Sequence, residues 1–162
     1  MIRLAAAAAL LALGCAAPAG GCPITQSEAG IYGNEFLEAV LPPDGRIVFR
    51  PGGAGFVDRD SALGIKFGWK RLIPGTLHVC RRRLDGDAAP ARAYLNDGYG
   101  DRGFQPIYLV FPVPGCWEIT GGLGDARLSF VLEVEKVGDG PAWKFDGLPP
   151  GWRMTNSPEK PR

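Results

Sequence analysis

The sequence predicts an all-β domain built from two packed sheets. Three observations carry that expectation. Gly and Pro together make close to a quarter of the 162 residues. They punctuate short runs rich in β-branched and aromatic residues, and such punctuation marks turns between strands. No window after residue 21 keeps the i, i+3, i+4 apolar spacing of an amphipathic helix. Charged residues are 22% of the chain, apolar residues 46%, and the net charge is +1. That balance excludes a coiled coil, a wholly disordered chain and a nucleic-acid binder acting through overall positive charge.

The strands are expected in order. Glu35 to Leu41 and Arg46 to Phe49 flank Pro42-Pro43-Asp44-Gly45, which predicts a hairpin. Ile65, Phe67 and Trp69 alternate with Lys66, Gly68 and Lys70, so one face of that strand is wet. Thr76 to Leu84 places Leu77 and Val79 on one side, and Ala91 to Leu95 is a short strand. Ile107 to Phe111 is apolar throughout, as a central strand is. Trp117 and Ile119 lead through the turn Leu123-Gly124-Asp125 into Leu128, Phe130, Leu132 and Val134. A single open sheet of seven or eight such strands would leave one apolar face in water. The expected solution is an immunoglobulin-like antiparallel β-sandwich over residues 22–137, with a small β-barrel as the alternative. Residues 138–162 read as a tail that docks through Trp143 and Trp152 and then frays, partly disordered.

Residues 1–21 read as a signal peptide and tether. Met1-Ile2-Arg3 is a short positive start, and Leu4 to Leu13 is an apolar run too short for the roughly 20 residues of a membrane span. Two processing sites compete. Ala12-Leu13-Gly14-Cys15 fits a lipobox, with Cys15 acylated and Ala-Ala-Pro-Ala-Gly-Gly as a flexible tether; Ala17-Pro18-Ala19 fits soluble export. Either way the protein is exported, as a membrane-anchored lipoprotein or as a periplasmic or extracellular protein. An oxidising compartment favours one disulfide among Cys22, Cys80 and Cys116. Loop entropies of about 4 kcal/mol for Cys80–Cys116 and about 5 for Cys22–Cys116 leave the pairing open. The remaining thiol is expected to be buried as a small hydrophobe. No pair has C-x-x-C spacing, so neither a redox motif nor a zinc knuckle is supported.

The stretch Phe111-Pro112-Val113-Pro114-Gly115-Cys116-Trp117-Glu118-Ile119-Thr120-Gly121, followed by Gly124-Asp125-Ala126-Arg127-Leu128-Ser129-Phe130-Val131, resembles the C-terminal hairpin of a family of bacterial exported proteins. Cys22-Pro23-Ile24-Thr25, Pro43-Asp44-Gly45, Lys66-Phe67, Arg82-Arg83-Leu84-Asp85 and Asp97-Gly98-Tyr99-Gly100-Asp101 extend the likeness over most of residues 22–137. A more distant likeness is to immunoglobulin-like modules whose penultimate strand begins Pro-Gly and then an aromatic residue. The resemblance implies an exported location, the sandwich fold and a Cys22–Cys116 pair; it carries no activity.

Chemistry-bearing patterns are sparse. His78 is the only histidine, it lies mid-strand, and no G-x-S-x-G nucleophile motif accompanies it. Asp58 with Asp60, or Asp97 with Asp101, would supply the two carboxylates of a glycoside hydrolase, but nothing places either pair in a cleft. Gly52-Gly53-Ala54-Gly55 follows a strand without leading into a helix, so it is a loop and not a phosphate cradle. Arg81 and Arg83 point to one side of their strand and Arg82 to the other, which breaks up an anion-binding patch. The strongest candidate site is the loop Asn96, Asp97, Gly98, Tyr99, Gly100, Asp101. Its alternating oxygens suit a hard cation such as calcium, although the spacing is not that of an EF-hand. Tyr99 with Phe104 would suit stacking on a sugar or a partner protein. The function expected is therefore a non-enzymatic binding or structural module of the bacterial cell envelope. Its partner would be an envelope component or glycan, with no cofactor, metal or nucleic acid, and membrane contact only through a lipid anchor. The alternative is a cation-dependent or hydrolytic enzyme using residues 96–101.

Overall fold

The computed structural model describes residues 21–147 and 150–155. Cys15 and the signal-like segment lie outside the described residues. Among the described residues twelve strands form: β1 (Ile31–Gly33), β2 (Leu37–Val40), β3 (Arg46–Phe49), β4 (Phe56–Asp58), β5 (Leu63–Arg71), β6 (His78–Arg83), β7 (Arg92–Asn96), β8 (Gly103–Phe111), β9 (Gly115–Leu123), β10 (Ala126–Lys136), β11 (Lys144–Phe145) and β12 (Trp152–Met154). One sheet runs β1-β2-β5-β8-β7-β12, with β4 beside β5 and β11 beside β4. The other runs β3-β10-β9-β6, and neither closes into a barrel. The count exceeds the expected seven or eight because short edge strands and the two strands beyond residue 137 join the larger sheet.

Seven of these strands carry the immunoglobulin arrangement. In chain order β2, β5, β6, β7, β8, β9 and β10 play the parts A to G: one sheet holds A-B-E-D and the other C-F-G. The β9–β10 hairpin forms as expected, with Leu123 opposite Ala126 and Gly124 at φ +56 in the two-residue loop. Ile107–Phe111 is central, with β8 paired to both β5 and β7.

The expected β2–β3 hairpin does not form. The turn is there, with the Gly45 amide donating to the Pro42 carbonyl at 2.9 Å, but β3 crosses to the other sheet and runs parallel to β10. The reason is the long edge of β10. Thr25 bonds Val131, the Gly45 carbonyl accepts from Glu133, and β3 pairs residues 133–136, so one continuous edge is satisfied. A β2–β3 hairpin would leave those groups bare, which is costly for buried backbone.

The inner faces meet in a core that includes Trp69, Trp117, Phe49, Phe111 and Phe130, all essentially inaccessible. The Trp69 indole of β5 lies across the sandwich against Gly121 of β9, where an added Cβ would stand 2.5 Å from the ring. The B–F contact between sheets is thus an indole on a glycine. The disulfide lies elsewhere: Cys22 bonds Cys116, with Cα atoms 5.5 Å apart. Trp117, Ile119 and Leu123 of β9 are buried, so alternation turns Cys116 to the outer face of the smaller sheet. There the bridge fastens the N-terminal segment. Described residues beyond 137 belong to the same fold. Phe145 is buried beside Phe56, Trp143 meets both rings edge-on, and Trp152 lies on Tyr108 with centroids 4.3 Å apart.

Candidate functional site

The loop of residues 97–102 joins β7 to β8 at one pole of the sandwich, and its shape is set from below by Arg71. Ile65, Phe67, Trp69 and Arg71 share the inward register of β5, and the guanidinium therefore emerges under the loop. It is 2% exposed. One Nη donates to the Gly75 carbonyl at 3.1 Å and to the Gly100 carbonyl at 2.9 Å; the other donates to the Tyr99 carbonyl at 2.9 Å. Burial pulls the Arg71 pKa down, and the negative charge of Asp101 acts against that. Gly98 and Gly100 hold φ of +92 and +63, where an L side chain would be strained. The Gly75 amide donates to the Asp101 carbonyl at 2.8 Å, so the β5–β6 and β7–β8 connections are tied together.

The C-terminal segment completes the site. Asp97 accepts from Arg153 Nε at 2.6 Å, and its amide donates to the Gly151 carbonyl at 2.8 Å. Buried Gln105 donates to the Asn96 carbonyl at 3.1 Å. Two cavities of about 110 and 150 Å³ open here. They share Thr76, Leu77, Leu95 and Arg153 as walls and so form one groove. Asn96, Asp97, Tyr99 and Asp101 all line its first part. Phe104 does not join them: it lies half exposed over Gly68 beside Val40, on the outer face of the larger sheet. The expected Tyr99–Phe104 surface is therefore two separate places.

The same geometry bears on calcium. The Tyr99 and Gly100 carbonyls, which a hard cation would need, already accept from a guanidinium, and Asp97 is paired with Arg153. Among the described residues no group of three or more His, Cys, Asp or Glu side chains converges as metal ligands do. Asp58 and Asp60 are both bound by Arg92, at 2.9 and 2.6 Å. Its hydrogen bond draws the Asp60 pKa below the ordinary carboxylate value, against a smaller opposing effect of burial. A general acid needs the opposite shift.

The remaining sequence candidates disperse. The Gly52–Gly55 loop connects β3 to β4, two strands, as expected of a simple loop. Arg81 turns inward and is buried, donating to the Ala91 carbonyl and to Thr155 Oγ1. Arg82 pairs with Glu118 and Arg83 with Asp85, so each of the three guanidinium groups has its own partner. Among the described residues Cys80 is the free thiol, but it is not buried as expected. It stands half exposed on the outer face of β6, and with His78, Thr120 and Arg127 lines a cavity of about 230 Å³. Partial burial pushes its pKa up, with Arg81 and Arg127 opposing.

Arg71, Gln105 and Arg153 belong to the groove and were missed by sequence reasoning. Arg71 carried a usable signal, because it continues the inward period-two register of Phe67 and Trp69. Arg153 carried none, since its place depends on β12 pairing with β7. The groove and the disulfide occupy opposite poles. Gly75 packs near Leu123 at one end of β9, and Cys116 is at the other, seven residues or roughly 24 Å away. Comparison with models of known protein families gives no match for this chain, and comparison with characterised proteins gives no significant relative. The class of protein therefore rests on the fold itself: a disulfide-bonded immunoglobulin-like β-sandwich.

Proposed function

We propose that this chain is a non-catalytic binding module exported to the bacterial cell envelope, held at its N-terminal end and presenting the residue 96–101 pole away from the attachment. The observation that carries this reading is the placing of Cys22–Cys116 at one pole and the groove at the other. A disulfide suits an oxidising compartment. A tether that enters at Cys22 leaves the groove facing outward. Support for a binding role over catalysis comes from the state of the acidic pairs: Asp58 and Asp60 share the Arg92 guanidinium, and Asp97 is paired with Arg153. On this reading Cys15 is the acylated residue.

The test is expression of the full chain in a bacterium, followed by fractionation and intact mass. A processed, bridged chain in the membrane fraction that becomes soluble on Cys15→Ala is the expected result. Unprocessed, reduced chain in the cytosol overturns the proposal. So does turnover of ester, glycoside or phosphoester substrates by the purified chain that is lost in Asp97→Asn.

A further inference from the structure

Resting on the binding-module reading, we propose that the groove between the β5–β6 and β7–β8 connections takes a neutral saccharide, seated against Tyr99 and held by the Asp97–Arg153 pair.

The charges in the groove decide the class of ligand. Two arginines and two aspartates line it, and three of the four are already engaged. Arg71 gives its Nη donors to three carbonyls beneath the loop, and its charge faces that of Asp101. Arg153 and Asp97 neutralise each other through a single contact, Nε to Oδ1 at 2.6 Å. A phosphate or sulfate would meet two positive charges balanced by two negative ones, and so no net attraction. A cationic ligand would meet the same balance. What the pair does offer is the unused edges of a planar guanidinium and a carboxylate side by side, both more than half exposed. A sugar hydroxyl both donates and accepts, so neighbouring hydroxyls match such a donor–acceptor edge.

The other walls fit the same chemistry. Thr76 and Asn96 add a hydroxyl and an amide, while Leu77 and Leu95, both buried in the core, close the groove from below. Tyr99 is 41% exposed, and an aromatic ring combines an apolar face for sugar C–H groups with a polar tip. Small-molecule sites commonly pair an apolar wall with a few fixed polar groups. Fixity is provided by Arg71, which clamps the loop before any ligand arrives. The two joined cavities are small, which suits the end of a chain of one or two rings rather than an extended polymer.

The test uses the processed chain purified from cells, with chitotriose and maltotriose in solution and an array of neutral and sulfated oligosaccharides. Binding of at least one neutral saccharide is expected, with affinity unchanged between low and high salt because no net charge is neutralised. Tyr99→Ala and Arg153→Ala should each weaken it at least tenfold, while Phe104→Ala, outside the groove, leaves it unchanged. Tyr99→Ala is exposed enough to leave melting unaltered, so its loss of binding is not a loss of fold. Binding to sulfated saccharides alone, or binding that survives the Tyr99→Ala/Arg153→Ala double variant, overturns the assignment. An empty array together with Tyr99-dependent retention on envelope protein overturns the saccharide and leaves the module. An empty array with no retention on any envelope component overturns both.

Discussion

Replacing Gly121 by alanine tests the inter-sheet contact that holds the sandwich together. The added methyl would stand 2.5 Å from Cη2 and Cζ3 of Trp69. Trp69 is wholly buried, with Phe67 and Phe130 rings centred 6.0 and 5.5 Å away, so the indole has no free space on its other side. Either the ring shifts against those neighbours or β9 moves away from β5. Overpacking of this kind costs about 1–3 kcal/mol. At about 3 °C per kcal/mol for a domain of this size, melting should fall by about 3–9 °C. Differential scanning calorimetry of the oxidised chain reads this directly. The cause is separated from a general effect of alanine by a double-mutant cycle with Trp69→Phe, whose smaller ring leaves room for the methyl. In that background Gly121→Ala should cost less by about 1 kcal/mol or more. A melt within 1 °C of the parent, or equal costs in both backgrounds, would refute the reasoning.

Three further outcomes are expected. Arg71→Met leaves the Gly75, Tyr99 and Gly100 carbonyls without their donor, at about 1–3 kcal/mol for each that stays buried. Amides of residues 98–101 should then exchange faster with deuterium, while those of β9 and β10 change less. Cys116→Ser opens a loop with a sequence separation of 94, worth about 4–5 kcal/mol by chain entropy. A variant as stable as the oxidised parent in urea would contradict that. Arg92→Ala removes the hydrogen bond that lowers the Asp60 pKa. In the parent, the Asp60 contribution to stability is present above its unfolded pKa and lost as pH falls through the lower folded value. The variant should show an Asp60 carboxyl titrating nearer its ordinary value by NMR, with little change in neutral stability because the pair is solvated.

Much of the scaffold was legible because burial and period two coincide. Leu128, Phe130, Leu132 and Val134 read as one inward face, and they are one. Gly124 marks a two-residue turn, and the short loop leaves the flanking strands little choice but to pair. The β2–β3 relation was not legible. The turn sequence allows a hairpin, but the partner of β3 is decided by the open edge of β10 almost 90 residues later, which no local pattern encodes. Long-range pairing also hides Arg153, delivered by β12, and Thr155, which receives Arg81. At Arg81 alternation outranks polarity: within a run of three charged residues it turns Arg81 inward, where it is buried, and Arg82 outward. Register was the better guide there, and applied one residue past Lys70 it would have found Arg71.

The clamp explains why the residue 96–101 loop can look like a cation site in sequence without being built as one. Acidic and amide residues interspersed with glycines are what a wrapped cation needs, but they are also what a loop needs to fold its carbonyls inward around any positive charge. Here the chain supplies that charge itself. A guanidinium is fixed in place and cannot diffuse away, so the loop keeps its shape whatever the surrounding ion concentration. If this is the role of Arg71, chelator should leave the melting temperature of the parent unchanged, while Arg71→Met should make the loop mobile and gain nothing from added calcium. Restoration of the parent melt by calcium in Arg71→Met would instead show that the loop is a cation site in which the guanidinium is a competitor, and would return the carboxylates of Asp97 and Asp101 to the role of ligands.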